Sequence, residues 1–173
     1  MKNFIDKNEI NELTKLVGNG DKEAFEILYS KMYKIIYNFL YRNNLNPDDI
    51  EDIISSTFLI VIQKSKHKLI YKNCFSWILT IAKYQLYNFN RKFKKLTFDE
   101  DIIDRCSTRY DMNKISLKFE IDRLSKSAKQ IVYFVYYLKL PYKDISKILD
   151  ISISTLKRRI NDIIKYLQEK YEE

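Results

Sequence analysis

Glycine and proline are almost missing from this 173-residue chain, which has two of each, three alanines, one tryptophan and one histidine. So little turn chemistry excludes a sandwich or barrel built on many tight hairpins. It leaves helices, which the abundant Leu, Ile, Lys and Glu favour. No apolar run approaches the roughly 18 residues that a bilayer crossing needs, so no membrane insertion is expected. The opening MKNFIDKNEI does not read as a signal peptide. Cys74 and Cys106 are too few and too isolated for a disulfide framework or a zinc site, and read as reduced thiols of a cytoplasmic protein. His67 has no second His, Cys or acid at ligand spacing, which argues against a metal. No base–nucleophile–orienter set is visible, so neither an enzyme, a cofactor nor a small-molecule substrate is expected.

Acid is also missing from one long stretch: no Asp or Glu occurs from Ile53 to Phe98. With a net charge of +8 the chain favours an anionic partner, nucleic acid before membrane. Its 46% hydrophobic residues suffice for one ordinary domain or two small ones without staples.

What is present centres on residues 74–95, CFSWILTIAKYQLYNFNRKFKK. Phe75, Ile78, Ala82, Leu86, Phe89 and Phe93 recur at the period of one buried helix face. Ser76, Thr80, Lys83, Tyr87, Arg91 and Lys94 fall on the other side, and Asn73 is placed to cap the start. A cationic face with interleaved aromatics suits a phosphate backbone and unstacked bases. A core helix with a solvated Lys-rich end is the bland alternative.

Before it, residues 7–17 predict a short helix stopping at Gly18, and Asp21 caps a long one carrying Phe25, Leu28, Met32, Ile35, Ile36 and Phe39. Pro47 opens a third, whose first turns hold Asp48, Asp49, Glu51 and Asp52. The helix dipole alone explains acids there, yet four in five residues also make a compact patch for a basic partner protein. Residues 96–112 lose periodicity and read as a linker. Helices are predicted over 113–124 and 127–138, the latter capped at Ser125 or Ser127. From Pro141 onward two helices flank a turn filled by Ile151. The second opens with Ser152, Ser154 and Thr155 and continues Lys157-Arg158-Arg159, the pattern of a helix-turn-helix reader whose hydroxyls meet phosphates and whose cations meet guanine edges. An ordinary helical hairpin with a basic surface is the alternative.

In this order the motifs resemble a small alternative sigma factor of the extracytoplasmic-function type, from about Gly20 to Tyr171. GDKEAFEILYSKMY resembles the family's opening helix, NPDDIEDIISSTFLIVIQK its polymerase-binding helix, FSWILTIAK its promoter-melting helix and LPYKDISKILDISISTLKRRI its upstream-element reader. The resemblance implies an all-α fold of two small helical domains, residues 1–95 and 113–173, joined by the 96–112 linker. It implies docking on core RNA polymerase through Asp48, Asp49, Glu51, Asp52 and Phe58. It implies −10 contacts from the loop residues Lys66, Lys68, Tyr71, Lys72 and Asn73 and the outer face of the next helix. The −35 element would be read from Ser152, Ser154, Thr155, Lys157, Arg158, Arg159 and Asn161. Promoter DNA and an anti-sigma factor are the further partners it implies. The sequence departs from the family pattern at Ser55-Ser56, at Asp150, which stands where the turn glycine is common and would need a positive φ, and at Asp162, which stands where the family often has a basic residue. The Ile-, Lys- and Asn-rich composition is also similar to clostridial sigma factors of toxin and bacteriocin genes, although no motif singles out that subgroup. A stand-alone helix-turn-helix regulator is the competing function, and a small nuclease would need clustered acids for a metal, for which no second cluster can be paired with Asp48 to Asp52.

Overall fold

The computed structural model describes residues 6–43, 45–67, 71–94 and 117–170, the side chains of 92–94 and 118 excepted. The expected linker and Cys106 lie outside them. Among the described residues all regular structure is helical: α1 (Lys7–Gly18), α2 (Lys22–Tyr41), α3 (Pro47–Ser65), α4 (Cys74–Lys94), α5 (Leu117–Arg123), α6 (Lys126–Val132), a π-helical segment (Tyr133–Tyr137), α7 (Tyr142–Leu149) and α8 (Ile153–Glu169).

The starts follow local chemistry. Asp21 accepts a hydrogen bond from the Ala24 N–H at 3.0 Å, and Asn46 accepts from the Asp49 N–H at 2.8 Å ahead of Pro47. Ser125, one of the two expected caps, accepts from Ala128 at 3.3 Å. The α1–α2 turn uses Gly20 at φ 90°. Gly18 is needed for a different reason. A Cβ there would lie 2.6 Å from the Tyr71 hydroxyl and 2.7 Å from the Ser65 carbonyl, so only glycine lets α1 end against the α3–α4 loop.

Helices α1 to α4 pack on one another, and α5, α6 and α7 pack around α8 and the π segment. Leu28, Met32, Ile36, Phe39, Ile50, Ile54, Phe58, Ile78 and Ala82 fill the first core, and Ile131, Phe134, Ile145, Ile148, Leu156 and Ile160 the second. The two cores meet. Phe39 and Phe134, both fully buried, have ring centroids 5.4 Å apart. The Tyr133 hydroxyl donates to the Ile35 carbonyl at 3.2 Å, and the Arg42 guanidinium lies 4.2 Å from the Tyr133 ring centroid. Gln130 donates to Asn43 at 2.7 Å. Farther along, α7 lies on α4.

The sequence reading expected one α-helix over 127–138. The chain instead widens after Val132, with the Leu138 N–H reaching the Tyr133 carbonyl at 2.9 Å. Both Tyr133 and Phe134 thereby lie at the seam between the cores while Tyr136 and Tyr137 stay exposed.

Candidate nucleic-acid and partner interfaces

The acidic head of α3 is open to solvent. Asp48 and Asp52 are exposed, and Asp49 and Glu51 half-buried. Among the described residues no Lys or Arg forms an ion pair with any of them. Glu51 accepts a hydrogen bond from the Tyr33 hydroxyl, which pushes that phenol up to about 12. Tyr33 belongs to a ladder of partly stacked rings along α2, with Tyr29, Tyr37 and Tyr41. Phe58, expected on the docking surface, is corrected by the structure. It is only 2% exposed, packed 4.7 Å from Tyr29 and 5.9 Å from Phe25 by ring centroids, and supports the surface from beneath. The outward apolar residue is its neighbour Leu59, 60% exposed. Its spacing from Asp52 and Ser55 was the signal available in sequence.

The loop before α4 is anchored by Tyr71, whose hydroxyl donates to the Ser65 carbonyl at 2.7 Å. Lys66, Lys72 and Asn73 are exposed, and Lys68 lies outside the described residues. Asn73 starts α4, but not as the expected side-chain cap. Its φ is 55°, its carbonyl takes the Trp77 N–H at 3.0 Å, and Asn11 from α1 accepts the Cys74 N–H at 2.9 Å.

The outer face of α4 divides. Thr80, Tyr87 and Arg91 are exposed. Ser76 is buried instead, and its hydroxyl donates to the Asp144 carboxylate of α7 at 3.1 Å. Burial lowers the Lys83 ammonium from its ordinary value, against the opposing charge of Asp150 at the end of α7. Leu79, fully buried, falls on this same stripe. A helix that meets two neighbours has two inner faces, so the single-stripe expectation was too simple. Lys94 ends the helix, and nothing of its side chain is described. Tyr84, 62% exposed, was missed: it continues the spacing Thr80, Tyr84, Tyr87, Arg91 and adds a second aromatic to that face.

Helices α7 and α8 form the predicted helix-turn-helix. Asp150 has φ 55° and ψ 47°, the left-handed turn anticipated from its position. The Ile151 N–H bonds the Ser146 carbonyl at 3.1 Å, closing the turn. Ser152 caps α8, accepting from the Thr155 N–H at 3.0 Å, and shares hydroxyl contacts of 2.8 Å with both Ser154 and Thr155. Leu156, Ile160 and Ile163 face inward. Lys157, Arg158, Arg159 and Asn161 are exposed. At about 100° per residue, Arg158 stands opposite Leu156, while Lys157 and Asn161 lie toward one flank. Behind the reader, buried Glu120 accepts from the Tyr166 hydroxyl at 3.0 Å and pairs with Arg123 at 3.6 Å, tying α5 to α8.

Comparison with known proteins shows what the chain is similar to. Residues 116–167 match the family "Sigma-70, region 4". The chain is 23% identical to RNA polymerase sigma factor YlaC of Bacillus subtilis, over 88% of this chain and 96% of the relative. It is 24% identical to the ECF RNA polymerase sigma-E factor of Haemophilus influenzae, over 86% and 87%. Two solved structures share the fold. They are CnrH in complex with the cytosolic domain of CnrY (TM-score 0.66, 10% identity, 95% of this chain and 97% of that one) and the sigma factor RpoE with the anti-sigma factor NepR from Bartonella quintana (TM-score 0.63, 19% identity, 86% and 96%). A stand-alone regulator is not favoured, because the likeness runs well beyond the helix-turn-helix. With a sigma-70 region 4 at its C-terminal end and near full-length likeness to two sigma factors, the chain belongs to the alternative sigma factors of extracytoplasmic-function type, which direct transcription initiation.

Proposed function

We propose a division of labour within this sigma factor. Residues 1–95 bind core RNA polymerase through the acidic head of α3 and open the −10 element on α4. Residues 113–173 read the −35 element with α8, and 96–112 connect them. On α4 the strand contacts fall to Thr80, Tyr84, Tyr87 and Arg91, with the loop residues Lys66 and Lys72 beside them. The polymerase performs the chemistry, and this chain supplies recognition and strand opening. An anti-sigma factor, such as the one that accompanies the Bartonella relative, is the natural partner for holding it silent. No helix among the described residues is long and apolar enough to cross a membrane.

The observation that carries the docking role is the unneutralised acid patch. Asp48 and Asp52 stand exposed with no cationic partner among the described residues, in a chain of net charge +8, and the outward Leu59 follows two turns along the same helix. Charge and apolar contact are thereby offered together to a basic surface. The test is the double variant Asp48→Asn and Asp52→Asn, which keeps shape and removes charge. Loss of co-purification with core polymerase and of run-off transcription from the promoter of the chain's own gene, with an unchanged circular dichroism spectrum, is expected. Undiminished co-purification would sink the docking role.

A further inference from the structure

At the seam between the two cores, two pairs of tyrosine rings flank Arg42. Tyr37 and Tyr41, at the end of α2, are stacked with centroids 6.3 Å apart and planes 13° from parallel. Tyr133 and Tyr137, of the π segment, are stacked at 5.2 Å and 19°. Each pair has a sunken ring and an outstanding one. Tyr37 is half-buried and Tyr41 60% exposed, while Tyr133 is buried and Tyr137 68% exposed. Arg42 joins the pairs: its guanidinium lies over Tyr133 and donates to the Asn38 carbonyl, on the turn of α2 between Tyr37 and Tyr41.

The surroundings are cationic. No Asp or Glu occurs from Ile27 to Pro47 or from Arg123 to Lys143, whereas Lys34, Lys126 and Lys139 are exposed. Glu51 reaches the tyrosine row only at Tyr33, one turn before Tyr37. A second copy of this chain would bring like charge against like, at +8 each. An anion that carries flat rings suits the face better. Each outer tyrosine offers a ring on which a base can stack, and Arg42 and the lysines offer charge to a phosphate backbone. In a duplex the bases already stack on one another, so the strand must be unpaired.

We propose that this face binds unpaired RNA, with Tyr41 and Tyr137 each stacking a base and Arg42 meeting the backbone between them. Separated DNA arises inside a polymerase complex, where the α4 row meets it. A free chain with its two sets packed encounters unpaired bases chiefly as RNA. Because both helical sets contribute rings, RNA held here stabilises their packing. The surface needs neither promoter nor polymerase.

The test is fluorescence anisotropy of the purified full chain with a labelled 12-nucleotide RNA, alone or annealed to its complement. Tyr41→Ala and Tyr137→Ala should each weaken the single strand about tenfold, the loss of one stacked base, and leave duplex binding unchanged. Tyr41→Phe and Tyr137→Phe keep the ring and should keep wild-type affinity. Unaltered single-strand affinity in both alanine variants overturns the surface, and so does an equal loss on strand and duplex. Loss confined to Tyr84→Ala and Tyr87→Ala would place the RNA on α4 and overturn it as well. Displacement of the RNA by polyglutamate at equal charge would assign the face to an acidic protein instead. To separate RNA from DNA, cells producing the chain are irradiated with ultraviolet light and the chain is purified. Wild type should carry attached nucleic acid that ribonuclease removes, and Tyr41→Ala/Tyr137→Ala much less; attachment removed only by deoxyribonuclease overturns the RNA assignment. Run-off transcription with core polymerase judges the sigma-factor reading separately, so the two can fail independently.

Discussion

Replacing Phe134 with alanine tests whether the two helical sets are fastened as described. The ring is fully buried, 5.4 Å from Phe39 and 5.9 Å from Tyr133 by centroids. Truncating a buried phenylalanine costs about 3–5 kcal/mol, since apolar contact is lost and the cavity collapses only in part. With a urea dependence of about 2 kcal/mol per molar, the unfolding midpoint should fall by roughly 1.5–2.5 M. Far-UV circular dichroism follows all helices, while the only tryptophan, Trp77, reports α4 and its neighbours. In the wild type the two signals should change together. In the variant, loss of helicity should begin at lower urea than the Trp77 signal, because the α5–α8 set is released first. Tyr136→Ala, at a residue 53% exposed in the same segment, is the control and should change stability by no more than about 0.5 kcal/mol. A loss below about 1 kcal/mol for Phe134→Ala would refute the packing at the seam.

Three further outcomes are expected. The Tyr33 phenol, held protonated chiefly by its bond to Glu51, should ionise near 12 when followed by ultraviolet absorbance. Because its folded value is raised, the stability it contributes is complete below the ordinary value of 10 and is lost as pH rises toward 12. Glu51→Gln should bring its titration back toward the ordinary range. Asp150→Gly relieves a left-handed residue at φ 55° and should raise stability against urea by about 0.5–1 kcal/mol; a decrease would mean the Asp150 side chain matters more than its backbone. Ser152→Ala removes the α8 cap and should destabilise by about 1 kcal/mol, with Ser152→Gly milder.

Much of this molecule was legible in its sequence because the cues are local. Asp21, Pro47 and Ser125 mark helix starts through contacts within a single turn. Asp150 betrayed its left-handed backbone by standing where a turn needs one. What was not legible depends on partners distant in the chain. Phe58 and Leu59 are adjacent and apolar, and only the placement of Phe25 and Tyr29 decides which of them is buried. Ser76 looks like a surface hydroxyl until Asp144, far along the chain, comes to accept its hydrogen bond. The widened turn at Tyr133–Tyr137 has no composition of its own, since its residues fit an ordinary helix equally well. Tyr84 is different in kind: the spacing already named it.

The clasp of α7 on α4 divides that helix lengthwise. Ser76 bonds Asp144 and Lys83 lies near the charge of Asp150, so their stripe is occupied by the chain itself. Thr80, Tyr84, Tyr87 and Arg91 stay exposed with α7 in place. A strand taken on that row, as proposed, leaves the joint between the two helical sets intact.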